Sequence, residues 1–480
     1  MPSRATIFRI AVLVLWGILL VLLLRREYFI ETIDRRESEA VAQARQENWL
    51  GIHFNGERIG YVHDRLLPEG DGYRLHQEAR LNLNILGEQR PVRMAVVARL
   101  DPAMLLQDFS FSFATDFYQM EAEGRVEGDA IRYTLSNGKD RSAGTIPLRA
   151  PPFIATGQRH YLLAGKPAVG DRVRLPFFDP LTLSGKDSVL EYRGREKVLI
   201  EGRVYLLHHF REQFSGIWIS SWLDDDGQVV KEESPAGFVF LREPEFRAMD
   251  IGGTKEEMLG AVAVTPPRPL PDDAAARERL SYRLILPAEP EFRLDSHRQT
   301  LSGDILTVRR EPLPAADAAP CAEPAALAAS AYIQADHPDI AALARQLTAN
   351  TDTALARTRH LAAWVFATIE KRPVLGIPDA LATLRSKTGD CNEHAALFAA
   401  LARAAGIPAR IIAGVVHQAG KFYYHAWNEV CLGGAWLSLD TTRDQLPADV
   451  THIGFASGEM DELLAISSLI GKLRIEAIEP

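Results

Sequence analysis

The chain has 480 residues, of which 47% are apolar, 24% charged and 8% aromatic, with 54 Lys and Arg against 63 Asp and Glu. This composition excludes collagen-like, low-complexity and wholly disordered chains, and a net charge of −9 offers no basic excess for general nucleic-acid binding. Three cysteines cannot build a disulfide framework, and their odd number leaves at least one thiol free.

Ile10 to Leu24 is an unbroken apolar run, extended backwards past Arg9 by Ile7 and Phe8. Roughly 18 residues at ~1.5 Å each reach most of the way across a ~30 Å hydrocarbon core. Arg25-Arg26-Glu27-Tyr28-Phe29 follows, with no small-residue cleavage site. The expectation is an uncleaved transmembrane anchor over 1–26 and a single-pass membrane protein. Arg25, Arg26, Arg35 and Arg36 lie beyond the run, against Arg4 and Arg9 before it, so charge alone does not favour export. A short tail followed by a large body is nevertheless the plan of an exported protein, and a periplasmic body is expected. Residues 27–48 are charged and free of Gly and Pro, which predicts a helical stalk.

From Trp49 the hydrophobic period becomes two. Ile52-His53-Phe54, then Asn55-Gly56, then Arg58 to Val62 is a hairpin with a type I′ turn signal. Alternating segments recur at 74–86, 92–100, 109–113, 130–135, 188–192, 197–200, 204–210, 217–223 and 228–233, predicting a large antiparallel sheet, curved or closed, over 49–250. His208-His209 is no metal pair, since adjacent strand residues point to opposite faces. Residues 251–324 carry short strands at 281–286 and 304–309 between Pro/Ala-rich linkers. Helical periodicity then appears at 340–347, 354–369 and 380–386.

The chemistry is concentrated in about fifty residues. Asp390 followed by Glu393 forms a capping-box start, and Gly406 with Pro408 a stop, predicting a helix over Cys391–Ala405. Cys391 then occupies the first helical position, where free N–H groups and the dipole favour the nucleophilic thiolate. Three strands follow, at 409–417, 422–430 and 435–439. If the Gly433-Gly434 connection holds an even number of loop residues, His425 and Asp440 share a face and can hydrogen-bond. That orders a nucleophile, a base and an orienting carboxylate as Cys391, His425 and Asp440.

These residues resemble the transglutaminase-like branch of the papain-like cysteine enzymes. The likeness rests on Gly389-Asp390-Cys391, on Arg403-Ala404-Ala405-Gly406-Ile407-Pro408-Ala409-Arg410, on His425-Ala426-Trp427-Asn428-Glu429-Val430 and on Gly434-Ala435-Trp436-Leu437-Ser438-Leu439-Asp440. Thr441 stands where proline often follows the aspartate. The resemblance implies Cys391 as nucleophile, His425 as general base and acid and Asp440 as orienter. Asn392, His394 and Trp427 are expected beside the substrate. The upstream region is more loosely similar to the β-rich portions of membrane-anchored bacterial members.

The fold expected from all this is α+β: an N-terminal transmembrane helix, a large antiparallel β domain, and a transglutaminase-like domain over 325–480. The expected activity is acyl transfer from a protein or peptide amide, through a thioester resolved by water or by an amine. No calcium loop of the Asp-x-Asp-x-Asp-Gly type appears, so no metal or other cofactor is expected. Two rivals stand beside it. Cys391, His394, His417 and His425 could form a zinc set, or the domain could be a non-catalytic scaffold binding peptide or polysaccharide.

Overall fold

The computed structural model describes residues 47–478 except 86, 139, 215–216, 252–261, 289–290 and 459–462. It is predominantly β, built on a fifteen-stranded sheet and two four-stranded ones. The α+β expectation with its N-terminal transmembrane helix is corrected by this strand-dominated architecture. Among the described residues no helix is long and apolar enough to cross a membrane. The longest of them, Ala354–Thr368, has 15 residues and reaches only about 22 Å. The expected anchor at 1–26 and stalk residues 27–46 lie outside the described residues, and 47–48 already belong to the first strand, Glu47–Phe54. The fold is corrected accordingly, and the single-pass membrane location and periplasmic body inferred from the anchor are withdrawn with it.

The large sheet is a meander in two arms. One runs from Asp140–Pro147 back to Glu47–Phe54, and the other from Phe238–Arg242 back to Phe153–Ile154. The arms join where Leu50–Phe54 pairs antiparallel with Phe238–Arg242. The Asn55-Gly56 turn has φ of 50° and 83°, both in the left-handed region that a type I′ hairpin requires. Alternation buries one face: Leu75, Ala98, Leu106, Phe109, Met120, Ala122 and Ile131 are all under 5% exposed. Phe109 meets Phe178 from the opposite arm with ring centroids 4.8 Å apart, so the sheet curls around this core.

The C-terminal part builds a second core. Helices Pro338–Thr348, Ala354–Thr368, Ala380–Ser386 and Cys391–Ala404 pack on a sheet ordered Ala435–Leu439, Lys421–Leu432, Ala409–Gln418, His452–Gly458. Cys391–Ala404 is the central helix, buried on every side from Glu393 to Arg403. Its six alanines allow that close approach from helices and sheet alike. A further sheet, from strands 279–285, 299–302, 305–309 and 474–478, covers the other side of Val415, Phe422 and Ile453.

Cys321 is disulfide-bonded to Cys431, 110 residues away, and Cys391 is the free cysteine. The bridge fastens the Ala/Pro-rich segment to the end of the strand that carries His425. In the chain-entropy view, closing so long a loop removes roughly 4 to 5 kcal/mol of freedom from the unfolded state. The two halves meet where the Tyr332 hydroxyl donates to the Leu181 carbonyl, where Thr115 Oγ1 donates to Leu375 O at 2.8 Å, and where Arg385 pairs with Asp140.

Candidate active site

Asp390 caps the central helix, its carboxylate accepting the N–H of Asn392 at 2.8 Å, while Glu393 reaches back to accept the N–H of Asp390 at 2.9 Å. Gly389 permits this closure, because a Cβ there would lie 2.3 Å from Cβ of Glu393. Cys391 stands half-buried at the first helical position. Its thiol differs from the sequence expectation. Burial pushes it well up, and the negative charge of Asp390 adds to that. The backbone N–H of Ala426 pulls the other way, and Glu393 and Asp440 push up again. The acids that build the cap thus place charge beside the sulfur that opposes the pull of the helix start toward thiolate. Asn is as good a cap as Asp, so Asp390→Asn keeps the helix start and removes that charge. Iodoacetamide labelling of Cys391 at pH 7 is expected to accelerate several-fold, its pH dependence moving down; an unchanged profile refutes this electrostatic account.

Gly433 and Gly434 form a two-residue turn with φ of 62° and 82°, so the loop count is even. Register runs from Leu432 opposite Ala435 to Asn428 opposite Leu439. Continued one step, it sets Trp427 across from Asp440 and His425 one pair diagonal on the same face. Nε2 of His425 lies 2.8 Å from Oδ2 of Asp440. An ionised carboxylate only accepts, so this nitrogen carries the proton and Nδ1 is left for Cys391. Asp440 is buried, and its Oδ1 accepts the N–H groups of Thr442 at 2.8 Å and Arg443 at 3.2 Å. Burial opposes its charge, but hydrogen bonds from His425 and His452 outweigh burial and hold it well below the usual carboxylate range. Cys391 and His425 line one cavity of about 240 Å³, walled by Tyr332, Ile333, Ile411 and Leu463.

Residues 341–441 match the family model of the transglutaminase-like superfamily, a span that contains Cys391, His425 and Asp440. The chain carries a transglutaminase-like domain. None of the curated proteins matches it. Among solved structures, two similar chains are named as putative proteases. One, a cysteine protease from Cytophaga hutchinsonii, is 16% identical over 42% of this chain and 86% of its own, with a TM-score of 0.30. The other, from Parabacteroides distasonis, is 12% identical over 70% and 69%, with a TM-score of 0.19. A beta-barrel-like protein of a domain family of unknown function from Brucella abortus is 10% identical over 41% and 95%, with a TM-score of 0.33. At such TM-scores the likeness is too loose to assign an activity.

The remaining motif residues of the transglutaminase-like domain hold its sheet together. Arg410 makes two hydrogen bonds to Oε2 of Glu429, at 2.8 and 2.6 Å, and its guanidinium lies 4.0 Å from the Trp436 ring centre. Asn392 is exposed and lines the cavity. His394 is fully buried, Nδ1 donating to the Asp390 carbonyl at 2.7 Å, and burial lowers its pKa. Trp427 is buried beneath the catalytic strand, stacked at 6.3 Å from His425 and edge-on at 5.2 Å to His452. Gly414 leaves it room, since a Cβ there would meet Cη2 of Trp427 at 2.5 Å. Neither His394 nor Trp427 is among the residues lining the cavity.

The proposed zinc ligands do not assemble. Among the described residues, three metal-capable side chains converge only at His425, Asp440 and His452. There both Nε2 atoms hydrogen-bond the same carboxylate oxygen, at 2.8 and 3.1 Å, so the groups face each other as proton donors and acceptor. Sequence reasoning missed two polar groups of this centre. His452 lies outside every motif, twelve residues beyond Asp440. The Tyr424 hydroxyl is buried, has no hydrogen-bond partner among the described residues, and belongs to a residue lining the Cys391 cavity.

Proposed function

We propose that the transglutaminase-like domain is a cysteine acyl-transfer enzyme that opens a protein or peptide amide through a thioester on Cys391. The observation that carries this reading is the cavity shared by the free thiol and an imidazole already steered by a buried carboxylate. With burial raising the thiol pKa, the resting sulfur is the thiol. His425 Nδ1 takes the thiol proton as the sulfur bonds to the carbonyl carbon. The oxyanion is held by the N–H of Cys391 at the helix start, with the Tyr424 hydroxyl as second donor. Burial pushes that hydroxyl far above the usual tyrosine range, so it stays protonated. The imidazolium then gives its proton to the leaving amine as the C–N bond breaks, and the thioester remains.

Water resolves the thioester in this reading. Tyr332, Ile333, Pro378, Ile411 and Leu463 give the cavity an apolar wall, and among the described residues no carboxylate lines it to receive a lysine ammonium. A volume of about 240 Å³ suits one apolar side chain next to the scissile amide. The test is intact-protein mass spectrometry with N-acetylphenylalanine p-nitrophenyl ester, with and without methylamine. A stoichiometric nitrophenol burst and an acyl adduct on Cys391 are expected, decaying to the free acid even with the amine present. No adduct on Cys391 overturns the reading, and a dominant methylamide product replaces hydrolysis by transfer to amines.

A further inference from the structure

The acyl-transfer mechanism uses Asp440 and His425 but leaves His452 idle. His452 opens the strand His452–Gly458 and has no exposed surface. Its Nε2 lies 3.1 Å from Asp440 Oδ2, the same oxygen that His425 engages, and its Nδ1 lies 3.1 Å from Asp449 Oδ1. A neutral imidazole offers one N–H and one lone pair, and a lone pair turned toward a carboxylate is repelled. Two carboxylates facing two ring nitrogens therefore call for a proton on each. Asp449 is itself held ionised, accepting the N–H and Oγ1 of Thr451 at 2.8 and 2.6 Å and Nε2 of Gln445 at 2.8 Å.

We propose that His452 is a positioning residue of the catalytic centre: a buried imidazolium that donates to Asp440 and Asp449 together and, through Asp440, keeps the His425 ring free to accept the Cys391 proton. This rests on the acyl-transfer reading. By drawing on the oxygen that His425 also uses, His452 weakens the pull of Asp440 on a proton at His425. Its own charge is sustained where burial alone would remove it, because its hydrogen bonds to Asp440 and Asp449 outweigh burial and raise its pKa. The charged and titratable groups around it come from each adjoining element. Asp440 ends the strand 435–439, Asp449 precedes its own strand, and His425 stands on 421–432 with ring centroids 5.9 Å apart. His417, on the paired strand 409–418, feels Asp449. Arg298 binds the backbone carbonyls of Ala448 at 3.2 Å and Asp449 at 2.7 Å, and the Tyr282 hydroxyl binds that of Val450 at 2.9 Å.

The experiment compares pH profiles of kcat/KM for the full-length wild type, Cys391→Ala and His452→Gln, with N-acetylphenylalanine p-nitrophenyl ester as probe. Glutamine keeps a donor toward Asp440 and removes the charge. A unit charge about 6 Å away at an effective dielectric near 20 shifts a pKa by about two units, and Asp449, present in both proteins, does not enter the difference. The acid limb, which reports the base that accepts the Cys391 proton, is expected to move up by about two pH units. On the acid side of the wild-type limb, where the shift is felt in full, kcat should fall about a hundredfold and KM stay unchanged, since His452 does not line the cavity. A lower kcat with an unmoved acid limb is what mere packing damage gives, and it overturns the proposal. If wild type shows no Cys391-dependent burst, the acyl-transfer reading fails first and the role of His452 falls with it. Should His452→Gln not fold, a neutron structure of the wild type at pH 7 decides: deuterons on both ring nitrogens support the imidazolium, and a bare nitrogen overturns it.

Discussion

Cys391→Ala is expected to lower turnover of the ester probe by four orders of magnitude or more, to the rate without enzyme. In the proposed mechanism the sulfur is the atom that bonds to the acyl carbon, and no neighbouring group takes its place. Loss of a nucleophile from a cooperating triad costs about as much as loss of the whole set. The fold should be unaffected. The helix start is fixed by the reciprocal hydrogen bonds of Asp390 and Glu393, neither of which involves the Cys391 side chain. Alanine is the best helix former, and the half-buried site gives up only a thiol's worth of contact. The far-ultraviolet spectrum and melting temperature should therefore match the wild type within a few degrees. Residual turnover above about 1% would remove Cys391 from the chemistry. Unfolding of the variant would show that the sulfur serves packing instead.

The centre was legible in the sequence to the extent that it is local. Asp390 and Glu393 announce a helix start in four residues, and Gly433-Gly434 announces an even turn, so the facing of His425 and Asp440 follows from counting. What escaped is what depends on remote partners. His452 reaches Asp440 only because the strand His452–Gly458 pairs with Ala409–Gln418 on the side away from Ala435–Leu439. No spacing along the chain encodes that. The thiol was misjudged for a related reason: the acids that identify the cap are also charges, and their effect on Cys391 depends on how deeply the site is buried.

The β region shows the same division. Segments rich in Val, Ile and Phe were legible, including the Asn55-Gly56 hairpin. Gln119–Glu127 (QMEAEGRVE) and Asp140–Pro147 (DRSAGTIP) carry few β-branched residues, and their strands exist because neighbouring ladders complete them. Ser188–Tyr192 and Lys197–Ile200, read as two strands, are one strand broken by a bulge at Gly194, where φ is 97°.

Asp440→Asn is the second large effect, and it separates orientation from nucleophilicity. Both oxygens of Asp440 face only donors: His425 and His452 on Oδ2, and the N–H groups of Thr442 and Arg443 on Oδ1. An amide must turn its NH₂ toward one of these pairs, so neither flip state satisfies the site. Facing the histidines, it drives His425 to the tautomer with a bare Nε2 and a protonated Nδ1, which cannot accept the Cys391 proton. A fall in kcat of about 10⁴ with little change in KM follows from that wrong tautomer. Stability should change as well, in a defined pH window. The folded-state pKa of Asp440 is depressed, so its ionised form contributes stability above the unfolded value of about 3.9 and loses it as pH falls below that. The variant should melt several degrees below wild type at pH 7, and the gap should narrow as pH drops below about 4. A variant with near-normal kcat, or one whose melting deficit is the same at pH 3 and pH 7, would mean that the buried carboxylate neither orients His425 nor stabilises the fold by its charge.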